Sequence, residues 1–138
     1  MLNLLNFFGK GQQNSLLIKN NGCFSHNGPW VQVYEETLID RWHVGDFSTA
    51  EYTISVDLDA ENKEIIKALV TANVNKASVV VFARNNTNKD LVEIAVSVNQ
   101  SYVDVKLTPA VSTDSTPNDG AKAFFTASYF HTQNSLTV

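Results

Sequence analysis

Residues 77–98 decide the fold: ASVVVFAR (77–84) and LVEIAVSV (91–98) flank the polar segment NNTNKD (85–90). Valine, isoleucine and phenylalanine suit a pleated strand, and consecutive asparagines tolerate the left-handed backbone of a tight reversal. The stretch therefore predicts an antiparallel hairpin. Because residues 79–83 are apolar at successive positions, we expect the first strand to be central in its sheet and covered on both faces. A strand of this kind indicates a two-layer β domain.

Regular alternation of apolar and polar residues predicts further strands on both sides of this stretch. The alternating segments are residues 30–35, 51–59, 102–108 and 121–130, and residues 15–19 form a shorter strand. Residues 64–74 fit a helix or a strand, and their β-branched residues favour a strand. We therefore predict an all-β fold: a single antiparallel β-sandwich, jelly-roll-like or immunoglobulin-like, over residues 15–138, preceded by an N-terminal apolar arm and linker at residues 1–14.

Length and charge exclude several classes of protein. A chain of 138 residues has the size of one ordinary domain. Its 10 basic and 14 acidic side chains give a net charge of -4, which lacks the basic patch that nucleic-acid binding requires. Cys23 is the only cysteine, so no internal disulfide and no thiolate metal site is expected. A nucleophile at Cys23 or Ser25 lacks an identifiable orienting group.

The acidic residues form no recognisable active site. Asp57 begins a pattern similar to a calcium loop, but Asn62 stands at the position that requires glycine. Glu35, Glu36 and Asp40 could be nominated as the acid pair of a glycosidase, which needs two carboxyl groups at a defined separation. We expect them instead to form a solvated acidic loop. The sequence thus predicts no enzymatic activity, no metal and no cofactor.

The N-terminal segment is apolar at five positions: Leu2, Leu4, Leu5, Phe7 and Phe8. It lacks the charged start and continuous apolar centre of a signal peptide and is too short to span a bilayer, so no membrane partner is expected. It could form a short helix that packs on its own domain, or an arm that inserts into a neighbouring subunit. The polar and glycine-containing residues 9–14 favour the second interpretation slightly, which makes these five residues a candidate assembly interface.

Aromatic residues near the first alternating strand suggest a second candidate surface. Trp30, Tyr34 and Trp42 could stack on sugar rings, because tryptophan and tyrosine combine a flat apolar body with a polar edge. The long polar loop of residues 112–120 contributes Asp114 and Asn118 to this candidate glycan or partner surface. The alternative is that these rings belong to the core or to a subunit contact, which is the commoner fate of large aromatics.

Three stretches resemble structural proteins in the particles of contractile-tailed phages that infect marine cyanobacteria. They are GDFSTAEYTISVD (45–57), ASVVVFARN (77–85) and AKAFFTASYFHT (121–132). The resemblance covers residues 45–136. It implies an assembled virion component with no known catalysis and carries no site residues.

Two functions are therefore open. The first is a non-enzymatic virion structural protein of the tail, baseplate, fibre or capsid, which self-associates or docks on other virion proteins through its apolar arm and exposed strand edges. A trimer or hexamer is the expected homo-oligomer, because symmetric particle axes multiply copies of one subunit. The alternative is a module that binds polysaccharide on the host surface.

Overall fold

The computed structural model describes residues 15–18, 23–111 and 120–133. These residues form ten strands and no α-helix. The strands are β1 (Ser15–Ile18), β2 (Cys23–Asn27), β3 (Val31–Val33), β4 (Thr37–His43), β5 (Phe47–Asp57), β6 (Lys63–Ala72), β7 (Ala77–Asn86), β8 (Val92–Asn99), β9 (Tyr102–Pro109) and β10 (Ala121–His131).

The strands form two antiparallel sheets packed face to face. The larger sheet has seven strands in the order β1-β2-β10-β5-β6-β7, and β3 pairs with the other end of β10. The smaller sheet has three strands in the order β4-β9-β8. The predicted all-β sandwich is confirmed. Residues 64–74 belong mainly to β6, so the choice of strand over helix is also confirmed.

Alternation along the strands builds the core. Tyr52 and Ile54 of β5 are fully buried, and so are Val105 and Leu107 of β9. Phe125 of β10 lies between these layers and is 2% exposed. The polar residues between them point to the outer faces, as the period of two in these segments predicted. Burial of large apolar side chains from both sheets is the main stabilising term of such a fold.

The prediction of a hairpin at residues 77–98 is wrong. Strand β7 is an edge strand of the larger sheet, whereas β8 belongs to the smaller sheet, and the two share no ladder. The expectation of a central strand covered on both faces is also wrong, because Val80 and Phe82 are 54% and 51% exposed. The polar segment between the strands therefore carries the chain from one layer of the sandwich to the other.

A buried carboxylate explains this crossing. Glu64 of β6 has a fully buried side chain, and its Oε1 accepts hydrogen bonds from the backbone N–H groups of Leu91 (3.0 Å) and Val92 (3.4 Å). Its Oε2 accepts a bond from Arg84 Nη1 at 3.0 Å. These bonds attach the start of β8 to β6 of the larger sheet.

Candidate functional site

Four side chains form a polar row across the outer face of the larger sheet. Strand register places Gln32 of β3 beside Lys122 of β10, Lys122 beside Asp57 of β5, and Asp57 beside Lys63 of β6. The Nζ of Lys63 lies 2.7 Å from Oδ1 of Asp57. Because directly opposed residues on one sheet face lie about 5 Å apart, these groups can contact a single ligand.

An aromatic pair borders this row. The ring of Trp30, which precedes β3, lies 5.3 Å from the ring of Phe124 with an angle of 30° between their planes. Trp30 is 57% exposed, so most of its indole surface remains available. The space between the indole and the row is an open groove of about 520 Å³, lined by Trp30, Val31, Gln32, Asp57 and Lys122. We call it the Trp30 groove.

The end of the long polar loop is fixed beside this groove. Gly120 donates its N–H to the carbonyl of Val33 at 3.0 Å and accepts a bond from Gln32 Nε2 at 3.1 Å. Its φ of +86° is a conformation that favours glycine. A Cβ at this position would also lie 3.2 Å from the ring of Tyr34. Residues 112–119 lie outside the described residues, but the position where they rejoin β10 is set by these contacts.

The described side chains give the groove a positive charge. Lys122 has no ion-pair partner among the described residues, whereas Lys63 and Asp57 neutralise each other. The groove is therefore locally cationic although the whole chain carries a net charge of -4. Asp57 is the one carboxylate among the described residues that line it.

The third predicted aromatic residue lies elsewhere. Trp42 of β4 is 5% exposed and packs in the core, so its assignment to an exposed surface is wrong. Its Nε1 donates to the hydroxyl of Tyr52 at 2.9 Å. The hydroxyls of Tyr52 and Tyr129 both donate to Oδ2 of Asp40, at 2.6 and 2.5 Å. These bonds connect the smaller sheet to β5 and β10 of the larger sheet.

Asp40 is therefore a half-buried residue of β4, and the prediction that it belongs to a solvated acidic loop is wrong. Glu35 and Glu36 are exposed as predicted. Burial raises the pKa of Asp40 above its ordinary value, against the lowering effects of the two tyrosine hydroxyls and of His26. Burial and the carboxylate of Asp40 also raise the pKa of both tyrosines. The cluster links the two sheets by hydrogen bonds, and its polar atoms are bonded to one another.

The structure brings together only part of the predicted surface. Trp30 and Tyr34, which lie on either side of β3 in the chain, are both exposed. Asp114 and Asn118 lie outside the described residues, and so does the predicted assembly arm of Leu2, Leu4, Leu5, Phe7 and Phe8. Sequence reasoning missed Gln32, Lys122 and Phe124 as groove residues, because they meet through the pairing of β3 with β10, which are distant in the chain.

The described part of the chain gives no indication of a metal site or a membrane span. It contains no group of three or more histidine, cysteine, aspartate or glutamate side chains that could hold an ion. Within residues 15–18, 23–111 and 120–133, no helix is long and apolar enough to cross a membrane. In the segment that begins like a calcium loop, Asp57 binds Lys63 and Asp59 accepts bonds from Asn62.

Comparison with known proteins finds similar structures but no matching family. No family model matches the sequence, and no curated protein matches it. The tailspike protein of Acinetobacter baumannii phage AM24 is similar in structure, with a TM-score of 0.53 and 7% sequence identity over 88% of this chain and 28% of the tailspike. The tailspike gp49 of A. baumannii bacteriophage Fri1, a capsular polysaccharide depolymerase, gives a TM-score of 0.45 at 11% identity, over 88% and 20% of the two chains.

At this identity the similarity concerns the fold alone. The chain spans little more than a quarter of the length of the AM24 tailspike. Its β-sandwich is thus similar in fold to one portion of a phage tailspike.

Proposed function

We propose that this chain is a non-enzymatic structural component of a phage particle, located in or on the tail. The observation that carries the proposal is the fold: 88% of the chain superimposes on a portion of a tailspike from a phage of Acinetobacter baumannii. The resemblance of residues 45–57, 77–85 and 121–132 to virion proteins of contractile-tailed cyanobacterial phages supports the same assignment and extends it to that class of phage. The partners are then other virion proteins and further copies of this chain.

Labelling of intact particles tests the location. Gold-labelled antibody raised against the purified protein is expected to decorate the tail, baseplate or fibres in electron micrographs. Labelling confined to the capsid, or the absence of the protein from purified particles by mass spectrometry, would contradict the proposal. A matched control uses antibody that was preabsorbed with the purified protein, which removes specific labelling.

A full-length variant tests whether the N-terminal arm assembles the particle. Replacement of Leu4, Leu5 and Phe8 by asparagine removes the apolar contacts but keeps the chain length. If the arm inserts into a neighbouring subunit, light scattering should show a smaller assembly for the variant than for the native chain. An unchanged mass and a lower stability would instead assign the arm to its own domain.

The Trp30 groove supports a second candidate function, the binding of a host-surface polysaccharide. An exposed indole beside polar side chains provides an apolar face for a sugar ring and hydrogen-bonding groups for its hydroxyls. Lys122 adds a cationic group without an ion-pair partner among the described residues, which favours a sugar that carries a carboxylate. This function is compatible with a structural role in the tail.

Calorimetric titration with acidic and neutral polysaccharides tests this candidate. We expect Trp30→Ala to weaken binding about tenfold, equivalent to about 1.4 kcal/mol, and Lys122→Ala to weaken binding of acidic polysaccharide more than that of neutral polysaccharide. Phe130→Ala is the matched control, because Phe130 is an exposed aromatic at the opposite end of the outer face of β10. Equal loss in the control, or no binding by the native chain, would exclude the groove as the site.

A further inference from the structure

Strand β7 is an unprotected edge of the larger sheet. No described strand pairs with its side away from β6. Edge strands of monomeric proteins are usually short or guarded by lysine, proline or a bulge, because free N–H and C=O groups invite another strand. β7 has ten residues and no proline, and its one bulge, at Phe82, leaves Ala77–Val81 regular. Its one charged side chain, Arg84, is bound by carboxylates of its own chain.

The core is incompletely closed along the same side of the sandwich. β7 and β8 are the adjacent edges of the two sheets, and their inward-pointing apolar residues are only partly buried. These residues are Val79, Val81, Ile94, Val96 and Val98. Partial exposure of five aliphatic side chains on two adjacent strands is unfavourable in water. A second layer of protein along this side would complete their burial.

The outer face next to this edge is also apolar. Leu69 of β6 lies opposite Val80 of β7 and is 43% exposed, and Val80 and Phe82 are more than half exposed. Ile65, four residues before Leu69 in β6, is 44% exposed. Clustered exposure of this kind marks interaction surfaces more often than isolated apolar residues do.

The charges at the two ends of β7 are complementary. Lys76 is exposed immediately before the strand begins. At the other end, the three carboxylates of Glu64, Asp90 and Glu93 surround the guanidinium of Arg84 and leave this end negative. An antiparallel pairing of β7 with an identical strand brings the start of each strand to the end of the other. Opposite charges would therefore meet twice, which identifies a second copy of the same chain as a suitable occupant.

We propose that β7 pairs antiparallel with β7 of a second copy about a two-fold axis perpendicular to the larger sheet. This arrangement continues the larger sheet across both copies. It also brings the partly exposed apolar side chains of β7 and β8 in one copy against those of the other copy. That side is about 33 Å long, from ten residues, and about 20 Å wide, from two sheets about 10 Å apart with their side chains. The resulting area of about 660 Å² per copy approaches the about 800 Å² of a standard specific interface.

The proposal deepens the self-association that forms part of the proposed function and names its surface. The apolar arm is a less suitable occupant of this edge, because it precedes β1 in the chain. β1 lies five strand spacings, or about 24 Å, from β7 across the same sheet. Location on the tail and binding in the Trp30 groove do not depend on β7. Failure of the pairing would therefore leave both of those tests unaffected.

Light scattering on the full chain tests the pairing. The native chain is expected to show an even multiple of its 15.2 kDa mass. Val80→Lys combined with Phe82→Lys places charge on the exposed edge without touching the core and is expected to weaken dimerisation at least 100-fold. Phe130→Lys is the matched control, since Phe130 is 45% exposed on the same sheet face far from β7, and it should leave the mass unchanged. Circular dichroism checks that each variant is folded.

Cross-linking identifies the symmetry. In a Cys23→Ser background, Val80→Cys should be joined to its equivalent in the second copy by a bismaleimide, because full overlap of the two strands offsets these positions by about three residues, or about 10 Å; Val111→Cys, at a residue 75% exposed, should not be joined. A monomeric native chain, or an assembly that survives the double lysine variant, would overturn the proposal. An assembly lost only on substitution of the arm residues would overturn it in favour of the arm.

Discussion

The buried carboxylate of Glu64 should be one of the most sensitive positions in the fold. Glu64→Ala removes the acceptor for the N–H groups of Leu91 and Val92 and the most buried partner of Arg84. Breaking a buried ion pair by removing one partner costs about 3–5 kcal/mol. Arg84 keeps weaker contacts with exposed Asp90 at 3.4 Å and with Glu93, so we expect the lower half of that range, about 3–4 kcal/mol.

Thermal unfolding followed by circular dichroism measures this cost. A chain of 138 residues unfolds with an entropy of about 0.3 kcal/mol/K, so the expected loss corresponds to a fall in Tm of about 10 °C. Glu93→Ala is the matched control, because Glu93 pairs with the same guanidinium at 3.6 Å but its side chain is 62% exposed. Its effect should stay below about 1 kcal/mol. Equal falls in Tm for the two variants would refute the assignment of the layer crossing to Glu64.

Three further outcomes are expected. The raised pKa of Asp40 means that the folded state binds a proton more tightly than the unfolded state, so this group lowers stability as pH rises from about 4 through the folded pKa. In urea titrations between pH 4 and 7, Asp40→Asn should therefore gain stability relative to the native chain as pH increases. Parallel stability curves for the two proteins would exclude this linkage. Gly28→Ala should destabilise by about 1–3 kcal/mol in the same titrations, because the added Cβ would lie 1.9 Å from the ring of Phe125; a neutral result would show that the ring can move aside. Tyr52→Phe should cost about 1–3 kcal/mol, because it leaves the indole N–H of buried Trp42 without its acceptor and removes a donor to Asp40; a thermal melt unchanged from the native chain would rule out these bonds as stabilising.

The strands whose two faces differ in environment were predictable from sequence. β5 and β9 have a buried layer on one side and water on much of the other, so their residues alternate and the period of two is visible. Strand β4 was not predicted because a bulge between Leu38 and Asp40 interrupts the alternation. Asp40 follows this bulge and its carboxylate is bonded to the two tyrosines, so a residue predicted to lie in an acidic loop is half-buried between the sheets.

The pairing of strands was not predictable from sequence, and most residues of the Trp30 groove meet only through that pairing. The sequence indicated that Trp30 and Tyr34 share a face of one strand. It gave no indication that Lys122 and Asp57 would stand beside Gln32, since that neighbourhood depends on the order of strands in the sheet. The hairpin prediction failed for a related reason: the start of β8 is bonded to Glu64 on a third strand, and local propensity carries no information about that contact.

The two tryptophans of this chain lie in opposite environments, and this gives the protein a built-in pair of optical probes. Trp42 is enclosed and hydrogen-bonded to Tyr52, so its emission should be blue-shifted and should move to the red when the sandwich unfolds. Trp30 faces solvent in the groove, so its emission should respond to a ligand that covers the indole while the fold remains intact. In Trp30→Phe only the emission of Trp42 remains, and in Trp42→Phe only the emission of Trp30 remains. Ligand binding and global unfolding can therefore be followed separately without an added dye.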